Sequence, residues 1–224
     1  MKRIAIIVAG GTGTRMNADV PKQFMLLNGK PVLMHSIEKF HLAGAFIIVV
    51  LHENLIEMWR LHCTQYNFVI PHLVTGGGTT RGDSVYKGLM HAATMHVQPG
   101  AMVAIHDAAR PLVSVILIEK LFNECSIKGN AVPAIKIVDS LRRVTSSGNE
   151  PVDRSELVMI QTPQCFYFDK LVEAYKNTAN HNYTDDATLF ETMGNRINLV
   201  EGESNNFKIT VETDLVKAEA LLKD

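Results

Sequence analysis

Four apolar runs rich in β-branched residues constrain this chain more than any other feature: "RIAIIV" from Arg3, "FIIVVL" from Phe46, "FVIPHLV" from Phe68, which Pro71 and His72 interrupt, and "AMVAI" from Ala101. A strand with one wet face alternates apolar and polar residues, whereas a continuous run needs cover on both faces, the condition of a parallel sheet. Between the runs lie amphipathic stretches of helical length: Pro31 to Leu42, Glu53 to Tyr66, Asp83 to Met95 and Ser114 to Cys125. Strand and helix in alternation predict βαβ units, hence an α/β sandwich with helices on both faces of the sheet. Ligands of such sheets bind beyond the carboxyl ends of the strands, so the loops after these runs are the place to look for chemistry. A chain of 224 residues that is 46% hydrophobic can bury a single core, and 1–224 reads as one domain.

Lys and Arg number 22 against 23 Asp and Glu, so no overall field draws the chain to nucleic acid or to anionic lipid. Any anion must be held by a local cluster of cations. Cys63, Cys125 and Cys165 are far apart and odd in number, which argues against a disulfide framework or a zinc site and predicts reduced, mostly buried thiols. Lys2 and Arg3 before an apolar stretch imitate a secretory signal, but Gly10, Gly11 and Gly13 interrupt that stretch at once. A cytoplasmic protein is expected, with no membrane span. The nine histidines show no metal spacing, and "NYT" at Asn182 has no glycosylation partner in the cytosol.

After "AVPAI" the rhythm changes. Residues 136–159 read as a long hairpin around a Ser-Ser-Gly-Asn turn, with little apolar surface of its own to bury. Such an arm needs something to pack on; a second subunit is one reading and a loose surface hairpin the other. "ETDLVKAEALLKD", with Thr213 and Asp214 near its start, predicts a closing helix.

Three loops carry the chemistry. "AGGTGTRM" follows the first strand, where glycines let the backbone turn and present N–H groups to a phosphate. It is not the dinucleotide pattern, since Met16 stands where the third glycine belongs, and no Gly-Lys-Ser/Thr closes it as a Walker loop. What remains is a glycine turn carrying Arg15, with Lys22 following a proline: two cations for one phosphate chain, or a plain strand-to-helix turn with solvated basic residues. "AIHDAARP" sets Asp107 and Arg110 at the sheet's carboxyl edge, where a carboxylate can bind a ribose hydroxyl or help hold magnesium, or where the two can pair with each other. His106 reads as a packing residue. "GGGTTRGDSV" from Gly76 is a second glycine-rich loop entering a helix near Asp83 or Ser84, and Arg81 within it reads as structural.

These stretches, with "PKQF" from Pro21, "VDR" at Val152 to Arg154, "QTPQ" from Gln161, "TDDA" from Thr184 and "NFKIT" from Asn206, occur in order over nearly the whole chain. The sequence resembles the 2-C-methyl-D-erythritol 4-phosphate cytidylyltransferase family. The resemblance implies a Rossmann-like nucleotidyltransferase fold, a three-layer sandwich with a mostly parallel mixed sheet and a protruding β-arm. It implies that the phosphate of a polyol phosphate attacks the α-phosphorus of CTP and displaces pyrophosphate, with Mg2+ or another divalent cation at Asp107. Catalytic roles then fall to Arg15 and Lys22, which stabilise the pentacoordinate phosphorus, and to Arg154 and Lys208, which hold the attacking phosphate. The triphosphate would lie on the N–H groups of Ala9, Gly10, Gly11, Thr12 and Gly13. Gly78 and Ser84 would read the cytosine, with Ser84 alternatively a helix cap; Asp107, Ala108, Arg110, Ser140, Thr162 and Thr184 would complete the substrate contacts. Thr79 departs from relatives that carry an acid there. The resemblance further implies a homodimer in which the arm carries Arg154 into the neighbouring site. Two other readings stay open at this point: the same transfer to ribitol 5-phosphate, and a CTP sensor that does not turn it over.

Overall fold

A computed structural model of the chain describes residues 2–11, 20–178 and 180–222. The chain opens with β1 (Arg3–Val8), the two-residue strands β2 (Leu26–Leu27) and β3 (Lys30–Pro31), α1 (Val32–Leu42), β4 (Phe46–Leu51), α2 (Ile56–Gln65) and β5 (Leu73–Gly76). It continues through α3 (Arg81–Ala93), β6 (Met102–Asp107), α4 (Val115–Lys128), β7 (Asn130–Lys136), β8 (Leu141–Thr145) and β9 (Gly148–Val152). The last elements are β10 (Val158–Ile160), β11 (Gln164–Tyr167), α5 (Phe168–Lys176), α6 (Asp186–Glu191), β12 (Leu199–Glu201) and α7 (Glu212–Leu221).

The main sheet runs β10-β7-β11-β6-β1-β4-β5, with β12 beside β7. β1 pairs in parallel with β4 and β6, and β4 with β5, while β11 runs antiparallel to both β6 and β7. The sheet is therefore mixed but mostly parallel where the apolar runs lie. Successive residues of β1 serve opposite faces: Ala5 and Ile7 join a core with Phe40 of α1 and Phe122 of α4, whereas Ile4 and Ile6 join one with Leu89 of α3 and Leu171 of α5. Two buried faces explain why the run is continuous. α3 comes close enough to the sheet that a Cβ on Gly88 would stand 2.8 Å from Ile6 Cγ2.

Four local readings change. The third apolar run is a strand only from Leu73, because Pro71 cannot donate to a ladder and Phe68 and Ile70 pack instead on the cluster around Trp59. α2 begins at Ile56, after a tight turn over Glu53–Leu55. α3 starts at Arg81, two residues before Asp83, because Thr80 and Asp83 form a reciprocal capping box. The arm is not one continuous hairpin: β8 and β9 form their own two-stranded sheet, and β10 returns to pair with β7. Among the described residues no helix is long and apolar enough to cross a membrane.

Candidate functional site

Strands β1, β4, β5 and β6 end on the same edge, and a cavity of about 660 Å³ opens there between Ala9–Gly11, His52–Glu53, Gly77–Ser84 and Asp107–Ala109. A second cavity of about 380 Å³ lies beside it, lined by Arg110, Gln161, Thr162, Gln164 and Thr184 among others. Arg81, Asp107 and Lys208 line both. The two chambers thus meet at a wall of one carboxylate and two cations.

The first cavity has a glycine floor on either side. Ala9 N–H extends the sheet by donating to Val50 O at 2.8 Å, and the Ala9 carbonyl accepts from the buried Gln23 Nε2 at 2.7 Å. Ala9 can therefore offer no donor to an anion, contrary to the sequence reading; among the described residues the cradle's donors begin at Gly10 and Gly11. The "PKQF" segment folds back under this turn, so that the Lys22 side chain lies 3.7 Å from where a Cβ on Gly11 would be. Phe24 anchors the segment by stacking on Trp59. Thr12, Gly13 and Arg15 lie outside the described residues.

On the opposite side, Gly78 fits so tightly against α3 that a Cβ there would sit 2.2 Å from Asp83 Cβ. Ser84 does not cap the helix. Its Oγ accepts from Gly78 N–H at 3.1 Å and donates to Thr80 O at 3.0 Å, holding the glycine loop closed. Thr79 donates its hydroxyl to Asp83 Oδ2 at 2.9 Å. The hydroxyls of Thr80 and Thr79 and the backbone N–H of Thr80 hold the Asp83 carboxyl down at about 2. Lys87 reaches the same loop from α3 and donates to Gly77 O at 2.7 Å.

Asp107 is the hinge between the chambers. The spacing offers a pair with Arg110, but Asp107 turns instead to Arg81, with Nε at 2.9 Å, and to Lys208, with Nζ at 2.7 Å. Burial would push its carboxyl up; the two cations outweigh burial and hold it well below the usual carboxylate range. Arg81 makes a second ion pair, at 2.8 Å, with Asp186, which is wholly buried and accepts from Tyr175 Oη at 2.7 Å. Burial disfavours the Arg81 charge, yet Asp186 and Asp107 raise its pKa above the ordinary guanidinium value. Sequence reasoning left Arg81 as a structural residue; its place at both chambers was missed because its two carboxylate partners are 26 and 105 positions away along the chain.

The second chamber gathers Arg110, Thr162, Thr184 and Lys208 from four separate loops. Arg110 directs Nη1 to Asn206 O at 2.7 Å. Thr162 Oγ1 accepts from Asp107 N–H at 3.0 Å and touches His106 Nδ1 at 3.3 Å. His106 is packing, as read: it is buried edge-on against Phe40, and burial drives its pKa down to about 3. Gln164, absent from the sequence reading, is fully buried and binds Asp185 and the N–H groups of Asp186 and Ala187, which shapes this wall. Ala108 uses its N–H on Val8 O and its carbonyl on Ser36 Oγ, so it presents only its methyl group rather than a polar contact.

Arg154 and Ser140 reach neither chamber. Both are exposed on the arm, where the Arg154 guanidinium donates to Val138 O. Among the described residues no three His, Cys, Asp or Glu side chains come together as a metal site. Asp107 is the acid facing both chambers, and each of its oxygens accepts from one cation, which leaves a lone pair on each.

Set beside known proteins, residues 3–224 match the family model for 2-C-methyl-D-erythritol 4-phosphate cytidylyltransferase. The chain is 44% identical over 226 residues to the protein of that name from Azobacteroides pseudotrichonymphae genomovar. CFP2, covering 99% of each. It is 42% identical to the one from Bacteroides fragilis, over 99% of this chain and all of that one. Among solved structures it resembles the 2-C-methyl-D-erythritol 4-phosphate cytidylyltransferase of Thermus thermophilus, with a TM-score of 0.79, 29% identity and 98% of each chain covered.

Proposed function

The chain belongs to the 2-C-methyl-D-erythritol 4-phosphate cytidylyltransferase family, and from that premise we propose how its two chambers divide the transfer of a cytidylyl group from CTP to 2-C-methyl-D-erythritol 4-phosphate in non-mevalonate isoprenoid synthesis. CTP occupies the larger chamber and the polyol phosphate the smaller. The observation that carries this is the shared wall of Arg81, Asp107 and Lys208: the attacking phosphate and the α-phosphorus must meet at a boundary common to both sites.

Two anions have to approach each other, and the charge becomes more concentrated as the new P–O bond forms. Positioning and fixed positive charge therefore do most of the work. Gly10 and Gly11 N–H groups and Lys22 meet the triphosphate, and the resemblance to the family assigns Arg15 to the same role. Gly77, Gly78 and Ser84 form the wall against which a base can lie. Lys208 and Arg110 receive the acceptor's phosphate, and Thr162 and Thr184 border its polyol. Mg2+ or another divalent cation fits here as a shared site, with Asp107 giving a remaining lone pair and phosphate oxygens the other ligands; it would neutralise and orient the triphosphate.

The arm completes this arrangement. Val138 and Val144 are about four-fifths exposed, and Leu157, Val158, Met159 and Ile160 form a further exposed apolar row at its base. A homodimer in which residues 136–159 cross to the partner would bury this surface and bring Arg154 and Ser140 to the partner's smaller chamber. Three cysteines without disulfide partners support a reducing, cytoplasmic setting.

The test is pyrophosphate release from each nucleoside triphosphate with a panel of polyol phosphates. We expect release with CTP and methylerythritol phosphate. Turnover of ribitol 5-phosphate alone would overturn the acceptor, and CTP binding without release under any acceptor would make the protein a sensor.

A further inference from the structure

Two cations share Asp107, and they are held very differently. Arg81 is anchored: its guanidinium lies between Asp107 and the wholly buried Asp186, and Asp186 is fixed in turn by the Tyr175 hydroxyl. Among the described residues Lys208 makes one ion-pair contact, to Asp107 Oδ2, from a side chain that is 34% exposed against 22% for Arg81. Of the two, only Lys208 is placed to serve an incoming phosphate. Doing so draws its charge away from a carboxylate that is only 9% exposed. A buried carboxylate that loses its protein partner is strongly disfavoured, so among the groups this fold itself supplies, beside any divalent ion that arrives with the nucleotide, a second cation is needed to release the lysine from Asp107.

We propose that Arg81 is a positioning residue for the transfer: it keeps Asp107 partnered and in place while Lys208 exchanges that carboxylate for the acceptor's phosphate. The inference rests on the reading of the smaller chamber as the acceptor site. Arg81 does not itself follow the phosphate, because its charge is matched by two carboxylates and its fork is committed to both. A lysine at this position could pair with one carboxylate at a time and should support the exchange only in part.

The experiment is steady-state kinetics with CTP and acceptor varied separately. For Arg81→Gln we expect the acceptor KM to rise tenfold or more, with the CTP KM and kcat changing less than threefold, and for Arg81→Lys to recover part of the difference. In a Lys208→Met background, Arg81→Gln should raise the acceptor KM less than twofold further, since the exchange no longer exists. Because Arg81→Gln strands the buried Asp186, the Arg81→Gln/Asp186→Asn pair is measured beside it, and Asp186→Asn alone serves as the control for folding. The pair should keep the acceptor effect, and Asp186→Asn alone should lower the melting temperature while leaving the acceptor KM within twofold. An acceptor effect reproduced by Asp186→Asn alone, a CTP KM that rises in step, or equal factors in the two Lys208 backgrounds would overturn the proposal. Each requires an active wild-type enzyme; failure of wild type to release pyrophosphate would instead remove the acceptor-site reading beneath it.

Discussion

The sheet-edge cleft and the arm are built on opposite principles. In the cleft, Asp107 and Arg81 are largely buried, and each is held by partners from distant parts of the chain, Asp107 by Arg81 and Lys208 and Arg81 by Asp107 and Asp186. In the arm, β8 and β9 are exposed along nearly their whole length, and their ion pair, Arg143 with Glu150, stands in solvent. Exposed pairs contribute little to stability, so the hairpin's own contacts do not account for it. The difference teaches that the cleft is organised by contacts within this chain's fold, whereas the arm's own contacts leave most of its surface uncovered.

Substitutions on the two sides should behave accordingly. The largest effect is expected at Lys22, where Lys22→Ala should lower kcat by about 10²–10³-fold, as loss of a fixed transition-state charge does. Its unfolding free energy should move by about 0.5 kcal/mol or less, since the side chain is not in the core; comparable losses in both would make Lys22 a structural lysine. On the arm, Arg154→Ala should weaken acceptor binding about 10–100-fold without lowering the melting temperature, the effect of losing a charge-assisted hydrogen bond worth about 1.5–3 kcal/mol. Mixing Arg154→Ala with Lys22→Ala protein should restore turnover through hybrid sites. No recovery despite proven subunit exchange would place each site within one chain and erase the contrast.

A third substitution asks how rigid the cleft is. Gly78→Ala forces a methyl group against Asp83 and its backbone, so it should cost about 1–3 kcal/mol of stability and raise the CTP KM. A variant that melts and binds CTP like wild type would mean that this loop yields freely. The smallest effect is one of pH. Trp59 Nε1 donates to His72 Nε2 at 2.9 Å and burial lowers the His72 pKa from 6.5, so the ring is neutral in the fold. The unfolded chain then binds more protons than the folded one as pH falls below about 6.5. This contribution to stability is complete above that pH and is lost progressively below it. Urea titrations followed by Trp59 fluorescence at pH 7.5 and 5.5 should show the loss, and His72→Gln should make it shallower while His35, His62 and His106, whose pKa values burial also lowers, keep the remainder; an unchanged slope in that variant would exonerate His72. Because Phe24 stacks on Trp59, the same measurement reports on the support beneath Lys22.

Legibility followed the range of the interactions. β1, β4 and β6 were readable because a doubly buried strand must be apolar throughout, and α4 stops where Gly129 takes up a left-handed φ of 88°. The strand at Phe68 was misplaced because Trp59 and its ring neighbours claim the same apolar residues that a strand would use. Lys22, Asp107, Arg110, Thr162, Thr184 and Lys208, all of which line the two chambers, were singled out from short motifs. Arg81, Gln23 and Gln164 were not, since each acts through partners that no local pattern announces. Ala9 was expected to hold the triphosphate through its backbone N–H, and sheet pairing had already taken that group.

By itself the sequence determined an α/β sandwich, the edge at which the cavities open, the family and most of the residue types that line those cavities, because apolar periodicity and short loops act over a few neighbouring residues. Only the tertiary structure decided which charges meet. Asp107 prefers Arg81 and Lys208 to the Arg110 three residues away because the strand ends converge there and exclude water, and a buried carboxylate takes the cations that the fold delivers to it.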